Sequence, residues 1–212
     1  MNINEVKVRN QYDRLADIYD LRWHNYILNT LTFLRDWERI EPQDRVLDVA
    51  CGTGEFERLL LERNPRQKIT GIDISEKMLN VAREKYRAYP NIEFHQASVH
   101  SLLFASESFD VAVCANAFHY FDEPEVALEE MKRVLKPNGK IIILDWNKDY
   151  PVCRICDWLL QIFDPAHQQC HTQDQLHQLL LSADFKIYRT TKVRFGFIWG
   201  LMAVTAIPSE IS

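Results

Sequence analysis

The residues with the plainest chemical promise are Asp48-Val49-Ala50-Cys51-Gly52-Thr53-Gly54 and, 25 positions beyond Asp48, Asp73. Glycines let a backbone turn sharply and approach a ligand closely. A helix that opens just after them offers unpaired N–H groups. An acid at the end of the next strand, at roughly this spacing, can accept both hydroxyls of a ribose. A pyrophosphate site would carry a third glycine; here Gly54 is followed by Glu55, Phe56 and Glu57. Two acids at a helix start oppose a pyrophosphate but suit a cation. The pattern therefore leans from a nicotinamide dinucleotide toward a sulfonium ligand bearing an ammonium group, such as S-adenosylmethionine.

The elements that must position these residues alternate. Arg45–Val49, Lys68–Ile72, Asn91–His95, Phe109–Cys114 and Lys140–Asp145 read as strands. Between them lie helical patterns: Glu55–Glu62 with Phe56, Leu59 and Leu60 inward; a helix capped by Ser75 with Met78, Leu79, Ala82 and Tyr86 inward; and one capped by Asp122, with Pro124 near its start, that Pro137-Asn138-Gly139 stops. Thr172-Gln173-Asp174-Gln175 is a capping box. Phe185–Arg189 and Val193–Trp199 read as two closing strands. The first four strands are apolar throughout, as doubly covered strands should be. The expectation is an α/β fold, a mostly parallel seven-stranded sheet with helices on both faces. One domain is expected over 1–212. It divides into an aromatic helical lid (1–40), a cofactor core (41–145), an irregular substrate-side insertion (146–171) and a closing helix with strands (172–212).

Composition narrows the class. The 212 residues are 47% hydrophobic with a net charge of -5, which suits a soluble protein and disfavours a nucleic-acid partner. No leader-like or membrane-spanning stretch is evident, so a cytoplasmic protein with no membrane partner is expected. Five irregularly spaced cysteines do not form a disulfide pattern.

In order and spacing, several motifs together resemble the class I S-adenosylmethionine-dependent methyltransferases, in the small-molecule branch near the ubiquinone/menaquinone type. They are Tyr12-Asp13 through Tyr19-Asp20, Leu47 through Gly54, Gly71 through Ser75 with Met78-Leu79, Ser108-Phe109-Asp110, Asn116 through His119, and Met131 through Gly139. The resemblance spans about residues 10–145. It implies a Rossmann-like doubly wound sheet, S-adenosylmethionine as cofactor and a small-molecule methyl acceptor. It also implies roles: Asp48 with the Ala50, Gly52 and Gly54 backbone at the methionine part; Asp73 on the ribose; Ile74 and Met78 about the adenine, with Ser98 and Val99 at its edge; Asn116 near the amino-acid end; and Tyr19 closing over the cofactor. Ala50 stands where the family usually has glycine, and Ser98 where many members have aspartate.

An activated methyl needs alignment more than acid–base help. His119, just past the fourth strand, is the candidate base, or else a residue that only shapes the pocket. Residues 10–28 are expected to form a mobile lid. Trp23, Tyr26, Trp146 and Trp158 read as core packing. Cys153, Cys156 and Cys170, with His167 and His171, invite zinc or trivalent arsenic, but without a convincing ligand pattern; no metal is expected. The rival readings are a nicotinamide-dependent oxidoreductase and a non-catalytic binding module on the same fold.

Overall fold

The computed structural model describes residues 1–164, 166–196 and 199–209. Its chain order is α1 (Ile3–Leu15), a 3₁₀ turn, α2 (Tyr19–Trp37), β1 (Arg45–Val49), α3 (Glu55–Arg63), β2 (Lys68–Asp73), α4 (Glu76–Tyr86), β3 (Ile92–Gln96), β4 (Phe109–Ala115), a second 3₁₀ turn, α5 (Pro124–Val134), β5 (Leu135–Trp146), α6 (Pro151–Phe163), α7 (Gln173–Ser182), β6 (Phe185–Phe195) and β7 (Trp199–Pro208). One seven-stranded sheet runs β3-β2-β1-β4-β5-β7-β6. β1 to β5 are parallel, whereas β7 runs antiparallel between β5 and β6.

β1 pairs with β2 on one side and β4 on the other. The strand order reverses there, and a crevice opens beyond the carboxyl ends of the two strands. The centre of the sheet is covered on both faces. Leu47, Phe109, Leu128, Met131 and Leu180 pack in one apolar cluster, and Val46, Leu34, Leu59, Val113 and Leu144 in the other. The second cluster includes Ile27, Leu31 and Leu34 of α2, so much of the expected lid is core.

Several boundaries differ from the sequence expectation for identifiable reasons. β3 is an edge strand with no buried residue, so it is not doubly covered. β5 begins at Leu135; Leu135 pairs with Phe109 and Lys140 with Val111, and Pro137-Asn138-Gly139 falls in the register shift between them. Val193 belongs to a single long β6, and the second closing strand starts at Trp199; Phe197 and Ile198 of the expected Val193–Trp199 strand lie outside the described residues. The 146–171 insertion is not irregular throughout, because α6 occupies Pro151–Phe163. Asp122 does not cap α5. Glu123 occupies that place without a side-chain bond, and Asp122 instead accepts from Asn2 and Asn4 at 2.9 and 3.0 Å. Ser75 and Thr172 do cap their helices, accepting from Met78 and Gln175.

Candidate active site

At the crevice β1 ends in a turn whose Ala50, Gly52 and Gly54 all have left-handed backbone, at φ 59°, 57° and 83°. Asn116 adopts the same region at the end of β4, with φ 57°. Asparagine tolerates this conformation well and alanine less so. Gly54 serves packing: a Cβ there would stand 2.7 Å from the Tyr86 ring, and its carbonyl accepts from the Tyr86 hydroxyl at 2.6 Å.

These turns frame a cleft with about 760 Å3 of free space, its open mouth included. Tyr19, Ala50, Gly52, Asp73, Ile74, Met78, Val99 and Asn116 line it, together with Tyr12 and Tyr120. A smaller extension, reached past Tyr19, Ala50, Gly52 and Asn116, is lined by Asp48 and Thr53. Gly54 and Ser98 are not among the lining residues of either. Ser98 is turned away by two bonds: its hydroxyl donates to Glu5 Oε1 and accepts from the His100 N–H at 3.1 Å. Glu5 and His100 line the cleft where Ser98 was expected. Nothing local in the sequence marks Glu5, because its place depends on α1 folding back 93 residues away in sequence.

Asp73 ends β2. Its carboxylate accepts the Gly52 N–H at 3.0 Å and the Ser75 N–H at 2.8 Å, so it locks the glycine turn to the start of α4. Burial pushes its pKa up to about 6, against the opposing pull of those N–H donors. A carboxylate oxygen has lone pairs beyond one bond each, so Asp73 can still accept from a diol in the cleft. The fit of an adenosyl cofactor rests on this carboxylate, the apolar walls of Ile74, Met78 and Val99, and the turns that hold backbone against the cleft.

Behind the turn, Asp48 and Glu57 are buried together. Neither oxygen of Glu57 meets an N–H or O–H donor. Burial and the facing Glu57 carboxyl hold Asp48 far above its usual range; burial also pushes Glu57 up to about 8. Both acids are therefore kept protonated at neutral pH. Gly71 makes room for Glu57, since a Cβ there would lie 2.9 Å from Glu57 Oε1. This corrects the charge argument from sequence. Glu57 is turned inward, and Glu55 is neutralised by Lys85 and Arg58 at 2.7 and 3.0 Å, so neither acid presents free charge at the helix start. The missing third glycine remains the sequence feature that tells against a pyrophosphate.

The N-terminal segment closes the cleft. Tyr12 and Tyr19 are not stacked along one helix, because α1 ends at Leu15 and a 3₁₀ turn intervenes. The chain still brings their rings to 5.9 Å edge-on, and Tyr12 meets Tyr120 at 5.6 Å. The segment is latched at several points: Ser75 donates to Asp13 at 2.6 Å, Thr53 to Asp20 at 2.5 Å, and the Tyr26 hydroxyl to Asn116 Oδ1 at 2.7 Å. Trp146 Nε1 in turn donates to Tyr26 at 2.7 Å.

His119 is buried and is not among the cleft-lining residues, although its neighbour Tyr120 is. Its Nδ1 lies 2.6 Å from Asp145 Oδ1, its backbone N–H donates to Asp145 Oδ2 at 2.7 Å, and its ring stacks on Trp146. Asp145, at the end of β5, was not singled out in the sequence. Further back, the ligand-type atoms of Asp157, His167 and Cys170 lie within 4.8 Å of one another. Asp157 is already engaged: it pairs with Lys148 at 2.6 Å and accepts from the Cys170 N–H at 2.6 Å, with His167 Nε2 at 2.9 Å. Burial holds the Cys170 thiol far above its usual range. All five cysteines are free.

Residues 47–143 match the family described as a methyltransferase domain. A demethylmenaquinone methyltransferase of Chlorobaculum parvum is 34% identical over 149 residues, covering 65% of this chain and 59% of the relative. A malonyl-[acyl-carrier protein] O-methyltransferase of Halalkalibacterium halodurans is 28% identical over 157 residues, 70% of this chain and 58% of the relative. The chain thus spans about three fifths of the length of these curated relatives. Among solved structures, an S-adenosylmethionine-dependent methyltransferase of Aquifex aeolicus superposes with a TM-score of 0.69 at 24% identity, over 94% of this chain and 97% of that one. Strand order and the order of the motifs along the cleft accord with these likenesses: residues 47–143 carry the methyltransferase-domain pattern, on the fold of the solved methyltransferase.

Proposed function

We propose that the chain transfers the methyl group of S-adenosylmethionine to a small-molecule acceptor, giving S-adenosylhomocysteine. The observation that carries this reading is the Asp73 carboxylate, held at the rim of the crevice by the Gly52 and Ser75 N–H groups and aimed along walls of Ile74, Met78 and Val99. Once bound, the cofactor supplies a methyl already activated by a positively charged sulfur. The protein has then to orient the acceptor and exclude water. Tyr12 and Tyr19 from the lid side, with Tyr120 from the turn after β4, close the cleft to do the second. His119 is the candidate base: its Nδ1 rests against Asp145 Oδ1, which leaves Nε2 to face an acceptor beside the cleft-lining Tyr120. The nicotinamide reading is disfavoured by the absent third glycine and by the methyltransferase relatives.

The test is product analysis. Purified chain with S-adenosylmethionine and the acceptors that the two relatives' names suggest, demethylmenaquinone and malonyl-[acyl-carrier protein], should release S-adenosylhomocysteine with at least one. His119→Gln should then lower kcat by about 100-fold or more while leaving cofactor affinity unchanged. Binding of a nicotinamide dinucleotide in preference to S-adenosylmethionine would overturn the assignment, and an unimpaired His119→Gln would remove the base.

A further inference from the structure

α6 is amphipathic, but its apolar stripe faces outward. Ile155, Trp158, Leu159, Ile162 and Phe163 follow the three-four spacing of one helix face. All five are exposed; Trp158 is 60% and Phe163 77% accessible. This overturns the expectation that Trp158 packs in the core. A contiguous apolar surface of this kind marks an interaction site.

The orientation is built in. The inward face of α6 carries buried Cys153 and Asp157. Asp157 holds Lys148, the Cys170 N–H and His167, and Cys153 donates to the Gly200 carbonyl at 3.3 Å. Rolling the helix to hide its apolar stripe would break every one of these contacts and carry a carboxylate out of its partners. The polar cluster behind the cleft thus keeps the apolar stripe outside.

The surroundings of the stripe indicate what covers it. At the N-terminal end of α6, Arg154 donates through Nε to the Lys148 carbonyl, and the Arg194 guanidinium stands over Tyr150, the residue that begins the helix, at 5.4 Å. Lys148 pairs with Asp157 and Lys192 with Asp149. Neither Arg154 nor Arg194 has a carboxylate partner among the described residues. Lys148, Arg154, Lys192 and Arg194 against Asp149, Asp157 and Asp174 leave this end positive on a chain whose net charge is -5. At the far end, Asp164 is taken up by Gln11 and the Ala166 N–H at 3.0 and 2.9 Å. Large apolar side chains including Trp and Phe, with free guanidiniums beside them, suit the interface of an anionic bilayer. A second copy docked by the same face would bring the same cations against these ones.

We propose that α6 docks this protein on anionic phospholipid membranes, its Ile155-Trp158-Leu159-Ile162-Phe163 stripe seated among the headgroups and upper acyl chains and its Arg154 and Arg194 against lipid phosphates. Docking is peripheral, since no helix among the described residues is long and apolar enough to cross a membrane. It departs from the sequence expectation of no membrane partner and does not depend on the identity of the methyl acceptor. Gln11 of α1 ties the C-terminal end of α6 to the helix that carries Tyr12, so the docked face adjoins the lid of the cleft.

The test is co-sedimentation of the full chain with vesicles of phosphatidylcholine alone or with phosphatidylglycerol added. The parent should partition onto the mixed vesicles, less onto the neutral ones, and less again at high salt. Ile162→Glu with Phe163→Glu should weaken partitioning roughly tenfold or more. Arg154→Gln with Arg194→Gln should weaken it by about tenfold on the anionic vesicles only. Leu181→Glu, at an exposed leucine on α7, should change nothing. Circular dichroism and calorimetric titration with S-adenosylmethionine identify any variant that has lost its fold. The proposal is overturned if the parent sediments with neither vesicle, or if the folded glutamate variant partitions like the parent. Light scattering that shows a dimer dispersed by the same glutamates, without vesicle binding, would overturn it in favour of a second copy.

Discussion

At the residue scale Asp73 has two tasks, and its titration separates them. Its carboxylate holds the Gly52 and Ser75 N–H groups and is the proposed acceptor of a ribose diol. Asp73→Ala should weaken S-adenosylmethionine binding by about 2–4 kcal/mol, since each charge-assisted bond contributes about 1.5–3 kcal/mol and water replaces part of the loss. That is about 30-fold to 700-fold in Kd. Burial raises the pKa from 3.8 to about 6. A raised carboxyl favours folding most when protonated, so its contribution to stability is complete below about pH 4 and fades as pH rises through 6. The diol needs the ionised form, so affinity should move the other way: Kd should fall as pH rises through 6 and level off above about 7. Titration calorimetry across this range, with Asp73→Asn as the control that lacks the carboxyl, checks it. A parent affinity flat from pH 5 to 7 would reject the assignment.

At the element scale the N-terminal segment is two structures. α1 buries only Glu5 and Val8, and its ties to the cleft rim are polar: Glu5 to Ser98 and Asp13 to Ser75. α2 buries Ile27, Thr30, Leu31 and Leu34 against the sheet. Polar ties exchange readily with water, and buried apolar contacts do not. The mobile lid expected over residues 10–28 is therefore better drawn as α1 with the 3₁₀ turn. Hydrogen exchange should slow over residues 3–18 when S-adenosylmethionine is added, and residues 27–37 should be protected with or without it. Equal protection of α1 in both states would mean that it is a fixed wall.

At the scale of the whole molecule, the Asp48–Glu57 pair links global stability to pH. Both carboxyls lie under the turn between β1 and α3, where protonation spares the interior two adjacent charges. Glu57 is raised from 4.5 to about 8, so stability from this pair is full at low pH and is lost as pH climbs through 8. The slope approaches about 1.4 kcal/mol per pH unit for one proton. Glu57→Gln keeps the shape and gives Asp48 an N–H donor, so it should flatten that slope between neutral and mildly alkaline pH in urea unfolding. An unchanged slope would place the titrating group elsewhere.

Local rules carried much of the fold and part of the site. The doubly covered strands β1, β2 and β4, the caps at Ser75 and Thr172, and the place of Asp73 after the glycine turn all follow from short-range pattern, since side-chain periodicity and capping chemistry act within a few residues. What depends on distant partners could be decided only by the folded chain. Ser98 has its hydroxyl occupied because Glu5 arrives from α1. Asp122 holds the N-terminus rather than its own helix because Asn2 and Asn4 reach it. Glu57 is buried as half of a carboxyl pair because Gly71 on the neighbouring strand leaves space for it. The same limit hid α6, whose apolar residues announce a helix but not the side it buries. Tertiary structure settled that, by giving Asp157 its partners inside and so leaving Trp158 and Phe163 to the outside.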